Sequence, residues 1–342
     1  MKEIGSEYWK VEHNGGNNNL EFINIGKHYK LLMSGRTAID FVINDFEDNT
    51  KVVYMPNYCC ESMMQPFIDN DYKIIFYNFD YKEKKYIIDY NTNCSVFFAM
   101  SYFGYSDSDM DSIIEKFSNK KIIVIEDITH RLLSDKNYCL KSDYLICSLR
   151  KWFPIISGGV AIKISSKFNH DTSNYTVDDL LVRTKEKAMC LKKKYIEGLI
   201  DTKDEFLNLY KESNDCFLNY KNKTIDNISL NILKHLDIEK IKEKRISNSL
   251  IIEKMLDNNK NIKLLFEHKD GDCPLFVPIL IENRDKIRKE MIEKSIYLPV
   301  HWPNNKAENE IYNLELSLIN DQRYDEKHIR KYIDELIKTV GD

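Results

Sequence analysis

The sequence lacks three patterns, each of which would point to a distinct class of protein. No apolar run approaches the roughly 20 residues that span a bilayer, and residues 1–10 carry acids and a Trp where a secretory signal would be apolar. No basic block suited to a phosphate backbone is present, and the formal net charge is −4 with both signs interspersed. We therefore expect a cytoplasmic protein with neither a membrane nor a nucleic acid as its partner.

The third absence is a cysteine pattern for metal ions or disulfides. The eight cysteines are scattered apart from the adjacent Cys59 and Cys60, and no CxxC pair occurs. We expect reduced thiols and no metal site. The length of 342 residues exceeds what a single hydrophobic core usually reaches, so two lobes in one chain are expected.

Short apolar runs alternate with helical patterns in the first half of the chain. Helix candidates at 61–70 and 109–117 lie between some of the runs. Runs that are apolar almost throughout are typical of parallel strands buried on both faces, and helices between them form crossovers. The sequence therefore predicts an α/β fold with a largely parallel sheet. The predicted strands are 52–55, 73–77, 95–99, 122–126, 144–147 and 160–164.

From residue 176 the sequence becomes charged and amphipathic as far as about residue 220. Thr176, followed by Asp179, resembles a capping box and predicts the start of a long helix or helix pair between two lobes. Beyond 227 we expect more helix, a strand at 275–281 and a final helix at 326–339. We predict a large domain over 1–220, which includes the long helix, and a smaller C-terminal α+β domain over 221–342.

Two charged residues stand where predicted strands end. Asp127 follows the run 122–126, and Lys151 closes the segment after 144–147. Ligands of open α/β sheets bind beyond the carboxyl ends of the strands, so both side chains should face one crevice. A pyridoxal phosphate (PLP) enzyme needs this pair, because the lysine forms an imine and the carboxylate keeps the ring nitrogen protonated. Alone, Asp127 could cap a helix and Lys151 could be a solvated charge; together, in this order, they favour PLP.

An anion site is predicted upstream. Ser34, Gly35 and Arg36 precede a helix expected to begin near Thr37, and the amino end of a helix offers free amides and a positive dipole to an anion. A phosphate is the natural occupant. A plain Ser/Gly helix start is the alternative.

Several further residues are candidates for contacts with the cofactor or substrate. Tyr58 and Cys60 follow the run 52–55, and either could lie over the ring of the cofactor, although Cys60 could also be a small buried residue. Tyr102 follows 95–99 and could line the crevice or fill the core.

Two candidates lie in the C-terminal part of the chain. His301, in His301-Trp302-Pro303, could contact the substrate, or the Trp could be a structural plug. Arg323 could clamp the carboxylate of an amino donor with its planar fork, and a structural salt bridge is its alternative.

Together these motifs resemble the DegT/DnrJ/EryC1/StrS aminotransferases, best known for aminating keto sugars attached to nucleotides. The similarity covers most of the chain. Its carriers are Ser34-Gly35-Arg36-Thr37-Ala38, Met55-Pro56-Asn57-Tyr58-Cys59, Tyr102-Phe103-Gly104, Glu126-Asp127-Ile128-Thr129-His130, Arg150-Lys151-Trp152-Phe153 with Gly158-Gly159, and His301-Trp302-Pro303.

The resemblance implies a fold-type I PLP-transferase with specific roles for several residues. It makes Lys151 the Schiff-base lysine, Asp127 the partner of the pyridinium, His130 a neighbour of the cofactor's 3-oxygen, and Ser148 a phosphate ligand. Two elements differ from the family. Ser157-Gly158-Gly159 stands where members have a fuller Gly-Glu-Gly-Gly stretch, and Asn227-Ile228-Ser229 stands where they have Asn-Tyr-Arg, through which a neighbouring subunit usually contacts the phosphate or substrate.

The function implied by the resemblance is transamination from an amino acid, with glutamate as the expected donor, to a keto acceptor such as a nucleotide-linked keto sugar for surface polysaccharide. A related sugar dehydratase would have His in place of Lys151. Another PLP-dependent sugar-modifying enzyme and a non-catalytic PLP-binding homologue stay open as alternatives.

A homodimer is expected, partly because this fold type usually completes its site with a second chain. The aromatic residues Tyr8, Trp9 and Trp152 look exposed in the sequence and support it, unless their rings fill the space between the lobes.

Overall fold

The structure is a computed structural model that describes residues 2–11, 18–23, 28–106, 109–302 and 311–341. The strands, in chain order, are β1 (Ile4–Gly5), β2 (His28–Leu32), β3 (Val52–Pro56), β4 (Lys73–Asp80), β5 (Lys85–Ile87), β6 (Val96–Met100), β7 (Ile123–Asp127), β8 (Tyr144–Cys147), β9 (Gly159–Lys163), β10 (Ile262–Leu264), β11 (Val277–Ile281), β12 (Ile296–Tyr297) and β13 (Glu315–Leu318). The helices are α1 (Gly35–Ile43), α2 (Glu61–Ile68), α3 (Met110–Asn119), α4 (Asp179–Ile196), α5 (Asp204–Cys216), α6 (Asn227–Lys234), α7 (Ile238–Leu256), α8 (Arg284–Glu293), α9 (Ile311–Leu314) and α10 (Glu326–Gly341).

The largest element is an eight-stranded sheet in the order β2-β9-β8-β7-β6-β3-β4-β5. Its five central strands, β4, β3, β6, β7 and β8, run parallel. β9, β2 and β5 are antiparallel to their neighbours. All residues of β6 and β8 are buried, as expected of strands covered on both faces. The predicted α/β fold and all six predicted strands are confirmed.

The charged segment after residue 176 forms the helix pair α4 and α5, which pack closely on each other. The predicted cap is wrong in detail: the N-cap of α4 is Asp178, whose carboxylate accepts a hydrogen bond from the Leu181 N–H at 2.9 Å. Buried apolar residues of both helices share one cluster with Met33 and Ile156. The pair is therefore packed against the loops that lead into α1 and β9.

The second half of the chain builds a smaller layer. β10, β11 and β13 form an antiparallel three-stranded sheet covered by α7, α8 and α10. β1 returns to this part of the molecule and pairs in parallel with β12, with Ile4 opposite Ile296. The division of the chain near residue 220 stays a prediction.

Two properties expected from composition can be compared with the structure. The eight cysteines are all free in the structure, and the reduced state of their thiols stays a prediction. None of the helices in the described residues is long and apolar enough to cross a membrane.

Candidate active site

A cavity lies where the carboxyl ends of β6, β7 and β8 meet the amino end of α1. Met100, Asp127 and Ser148 mark the ends of the three strands in its wall. It brings together most of the residues that the sequence predicted for the site, although their individual roles stay predictions. Those residues are Ser34, Gly35, Arg36, Cys60, Asp127, His130, Ser148 and Lys151.

Asp127 is the last residue of β7, and its carboxylate is buried. Its Oδ1 accepts a hydrogen bond from the Thr129 N–H at 2.8 Å. Burial raises the pKa of Asp127, while the hydrogen bonds from Thr129 and the charge of Lys151 act in the opposite direction. A cation placed against this carboxylate would favour its ionised form further.

Lys151 ends a one-turn 3-10 helix, Leu149–Lys151, that follows β8. Its Nζ lies 5.7 Å from the centroid of the Trp302 ring. None of the acids in the described part of the chain forms an ion pair with Nζ. The amine is therefore uncommitted, as a nucleophilic lysine requires.

His130 is buried beside Lys151, and the two nitrogens of its ring differ in their surroundings. Nδ1 accepts the Phe103 N–H at 2.8 Å. Burial, with the nearby charges of Lys151 and His301, lowers the pKa of His130 well below its usual value, so the ring is neutral and carries its proton on Nε2. Nε2 is buried without a hydrogen-bond partner among the described residues. It is a free donor for an acceptor in the cavity.

The amino end of α1 forms another wall. Ser34 is the N-cap, and its Oγ accepts the Thr37 N–H at 3.2 Å, so the helix begins at Gly35 rather than near Thr37. A Cβ on Gly35 would lie 3.1 Å from the Ser148 Cβ, and one on Gly159 would lie 2.1 Å from the Ser34 carbonyl oxygen. The close approach keeps the helix dipole beside the strand ends, in the geometry of an anion site.

Thr129, Arg150 and Phe217 line the cavity but were not predicted as site residues. The Thr129 hydroxyl accepts the Ser148 N–H at 2.9 Å and so joins the ends of β7 and β8. The Arg150 guanidinium lies on the ring of Phe217, 3.7 Å from its centroid. Thr129 and Arg150 stand within the motifs quoted above, and their nearness in the sequence to Asp127 and Lys151 could have identified them as site residues. Phe217 lies far away in the sequence and carried no such signal.

Tyr58 and Tyr102 lie behind the cavity rather than in its wall. Both are fully buried, and the Tyr102 hydroxyl donates to the Tyr58 carbonyl oxygen at 2.9 Å. The Tyr58 ring packs edge-on against Trp302, with centroids 4.8 Å apart. Of the two candidates for a position over the cofactor ring, Cys60 lines the cavity and Tyr58 does not.

His301 is held firmly by β13. Its N–H donates to Glu315 Oε2, and its Nδ1 is hydrogen-bonded to Ser317 Oγ, both at 2.7 Å. Its ring meets His130 edge-on at 5.8 Å, and Trp302 stacks on His130 at 5.5 Å. His301 therefore stands one ring away from the cavity. Pro303, the third residue of the motif, lies outside the described residues.

Arg323 lies outside this cavity. Its Nη2 and Nε contact the two carboxylate oxygens of Asp321 at 2.7 and 2.9 Å. The guanidinium also lies over the rings of Tyr8 and Trp9, 4.2 and 4.8 Å from their centroids. Its fork is occupied by Asp321, which is the salt-bridge arrangement considered as the alternative to a clamp on the donor.

The expectation that Trp152 is exposed is wrong. Its indole is fully buried, and Nε1 donates to the Thr129 carbonyl oxygen at 2.5 Å. Tyr8 and Trp9 are half-buried, and the Tyr8 hydroxyl donates to the Trp152 carbonyl oxygen at 3.0 Å. These rings fill space between the parts of one chain and give no support to a dimer.

No family model and no curated protein matches the sequence. The structure is similar to that of PseC from Helicobacter pylori, an aminotransferase involved in the biosynthesis of pseudoaminic acid, with a TM-score of 0.67 and 14% identity over 99% of this chain and 100% of that one. It is also similar to DesV of S. venezuelae, with a TM-score of 0.66 and 12% identity over 99% and 92% of the two chains.

A DegT DnrJ EryC1 StrS aminotransferase from Brucella abortus has the same architecture, with a TM-score of 0.62 and 14% identity over 92% of this chain and 86% of that one. At these identities the likeness is one of fold. The chain therefore has the fold-type I fold that these aminotransferases share, as its sequence predicted.

Proposed function

We propose that this protein is a PLP-dependent aminotransferase that moves an amino group from an amino acid, with glutamate as the expected donor, to a keto acceptor. The observation that carries the proposal is the meeting of Asp127, His130 and Lys151 in one cavity, where the Lys151 amine and His130 Nε2 are uncommitted. We propose a nucleotide-linked keto sugar for surface polysaccharide as the acceptor; the likeness of fold to PseC, an aminotransferase involved in the biosynthesis of pseudoaminic acid, supports the coarser statement that the acceptor is a sugar.

The residues present fit the cofactor. The amino end of α1 with Ser148 would hold the phosphate, Asp127 would pair with the ring nitrogen, and the His130 Nε2–H would donate to the 3-oxygen. Cys60 would lie against the ring. Asp127 gains most from this arrangement, because a protonated ring nitrogen would compensate its burial.

When bound, PLP supplies an electron sink that lets a proton leave the substrate carbon next to the amino group. Lys151 would take up that proton on its amine and return it to the carbon on the other side of the amino nitrogen. Asp127 would keep the ring nitrogen protonated throughout. The packed rings of Tyr58, Tyr102 and Trp302 exclude water from one side of the cavity, which strengthens these charge interactions.

The test is spectroscopic. Protein loaded with PLP should absorb visible light, lose that band on addition of glutamate, and release 2-oxoglutarate in equal amount. A keto acceptor should restore the band, and a panel of nucleotide-linked keto sugars would identify it. If the glutamate-treated spectrum stays unchanged with every amino acid tried, the aminotransferase proposal is wrong.

The active form is proposed to be a homodimer. Three leucines on or next to the helix pair are exposed, namely Leu180 (49%), Leu207 (52%) and Leu218 (68%). Leu218 directly follows the cavity residue Phe217, and we propose that the three leucines contribute to an apolar face that a second copy covers.

A further inference from the structure

Three cations contact Phe217 at the edge of the cavity, two over its ring and one at its backbone carbonyl. The Arg150 guanidinium lies 3.7 Å from the ring centroid, and the Lys185 Nζ lies 5.5 Å from it. Arg36 Nη1 donates to the Phe217 carbonyl oxygen at 3.0 Å. Arg36, Arg150 and Phe217 line the cavity, and Lys185 of α4 is buried behind them.

These cations lack an acidic partner among the described residues. Within the described residues no acid pairs with any of the three, and Arg150 makes no hydrogen bond. The Nε atoms of Arg36 and Arg150 are buried and unsatisfied. Glu7 and Asp226 act on Lys185 through their charge without forming an ion pair with it, and Asp226 already accepts hydrogen bonds from Ser157 Oγ at 2.5 Å and Ser229 Oγ at 2.6 Å.

Burial and mutual repulsion disfavour the charged forms of two of these cations. Burial, followed by the charge of Arg150, lowers the pKa of Lys185 to about 8. Burial also lowers the pKa of Arg150 to about 10, with the charge of Glu7 opposing the shift and that of Arg36 adding to it. Unpaired cations at such a site favour an anion, because an anion would relieve both burial and mutual repulsion.

We propose that Arg150 is an oxyanion-binding residue that, together with Arg36 and with Lys185 behind it, binds from within the same chain a phosphate seated at the amino end of α1. The contact with the face of the Phe217 ring positions the guanidinium, whose planar fork suits a phosphate. The inference rests on the proposed function for one point, that the phosphate is the one carried by the cofactor.

Binding to the cofactor-free protein tests this directly. Calorimetry should show binding of inorganic phosphate to the unaltered chain, and Arg150→Gln should weaken it by about tenfold to a hundredfold, the usual effect of losing a charge-assisted hydrogen bond. Arg183→Gln is the matched control, because Arg183 is exposed on α4 and donates only to the Asp179 carbonyl oxygen at 3.3 Å. Arg150→Gln should also weaken binding of PLP, while binding of pyridoxal, which has no phosphate, should not change.

Several outcomes would overturn the inference. They are absence of phosphate binding by the unaltered chain, equal affinity in folded Arg150→Gln, and equal losses for PLP and pyridoxal. If glutamate protects Arg150 from chemical modification and phosphate does not, Arg150 would instead be assigned to binding the carboxylate of the donor. If Arg150→Gln does not fold, Lys185→Met and Arg150→Lys replace it, and each should lower the affinity for phosphate by about threefold to tenfold. Unchanged affinity in both variants would also overturn the inference.

The two proposals fail separately. If phosphate binds through Arg150 but PLP forms no covalent bond with Lys151, the inference about Arg150 stands and the aminotransferase proposal is wrong. If PLP bonds covalently to Lys151 but the affinity for phosphate does not depend on Arg150, the aminotransferase proposal stands and the inference about Arg150 is wrong.

Discussion

At the scale of the residue, the chemistry depends on one amine. Lys151→Ala should abolish covalent attachment of PLP with little effect on folding, because Nζ pairs with no acid of the described residues and only an amine can form the bond. Borohydride reduction of the loaded protein, followed by peptide mass mapping, should place the label on Lys151. Lys187→Ala, which removes an exposed lysine paired with Glu205, is the control and should keep the label. A label on another lysine would contradict the assignment.

Asp127 can be tested in the same way. Asp127→Asn should retain PLP but lose transamination by about a hundredfold or more, because a neutral amide cannot hold the ring nitrogen protonated. Asp143→Asn is a matched control, since Asp143 also accepts a backbone N–H, from Val124 at 2.9 Å, but at the amino end of the sheet. Rates are to be measured with saturating glutamate. Turnover near that of the unaltered enzyme in Asp127→Asn would exclude the proposed role.

The residues that sequence could predict are those that follow strands. Asp127, Ser148 and Lys151 stand next to apolar runs, and parallel strands present their carboxyl ends at one edge. The contact between Arg150 and Phe217 could not be predicted, because it depends on how the helix pair α4 and α5 packs on the sheet. The tautomer of His130 likewise depends on the Phe103 N–H, a single backbone group placed by the fold.

At the scale of the element, the strands that could be predicted from the sequence are those that are buried on both faces. The central strands are covered on both faces and show as continuous apolar runs, whereas β2 and β5, at the two edges of the sheet, are mostly half-buried or exposed and carry no clear pattern. The cap of α4 was misplaced because Thr and Asp both serve as N-caps, and only the structure shows which one accepts the free amide.

The contact between β9 and the start of α1 gives a prediction of its own. Gly159→Ala would place a Cβ 2.1 Å from the Ser34 carbonyl oxygen, so one of the two elements must move. We expect a loss of about 1–3 kcal/mol in the free energy of unfolding and weaker binding of PLP. Urea unfolding and fluorescence titration measure the two effects. Gly341→Ala, with no atom within 4 Å of its Cβ, is the control. A Gly159→Ala protein as stable and as tight-binding as the original would show that the close approach is not needed.

At the scale of the whole molecule, the prediction concerns assembly. Light scattering should find a dimer, and Leu207→Lys should dissociate it because a charge would enter the proposed apolar face. Leu140→Lys is the control, since Leu140 is 76% exposed but lies on the connection between β7 and β8. A monomer with full activity at micromolar concentration would refute the proposal.

The pairing of β1 with β12 has a consequence for the order of events on the ribosome. β1 emerges before every other described strand, yet its partner Ile296 is translated long after β9, which completes the large sheet at Lys163. Until then the β1 segment has no strand to pair with, and its edge is open to wrong partners. The large sheet can therefore fold while translation continues, whereas β1, the first strand to be translated, is among the last to pair.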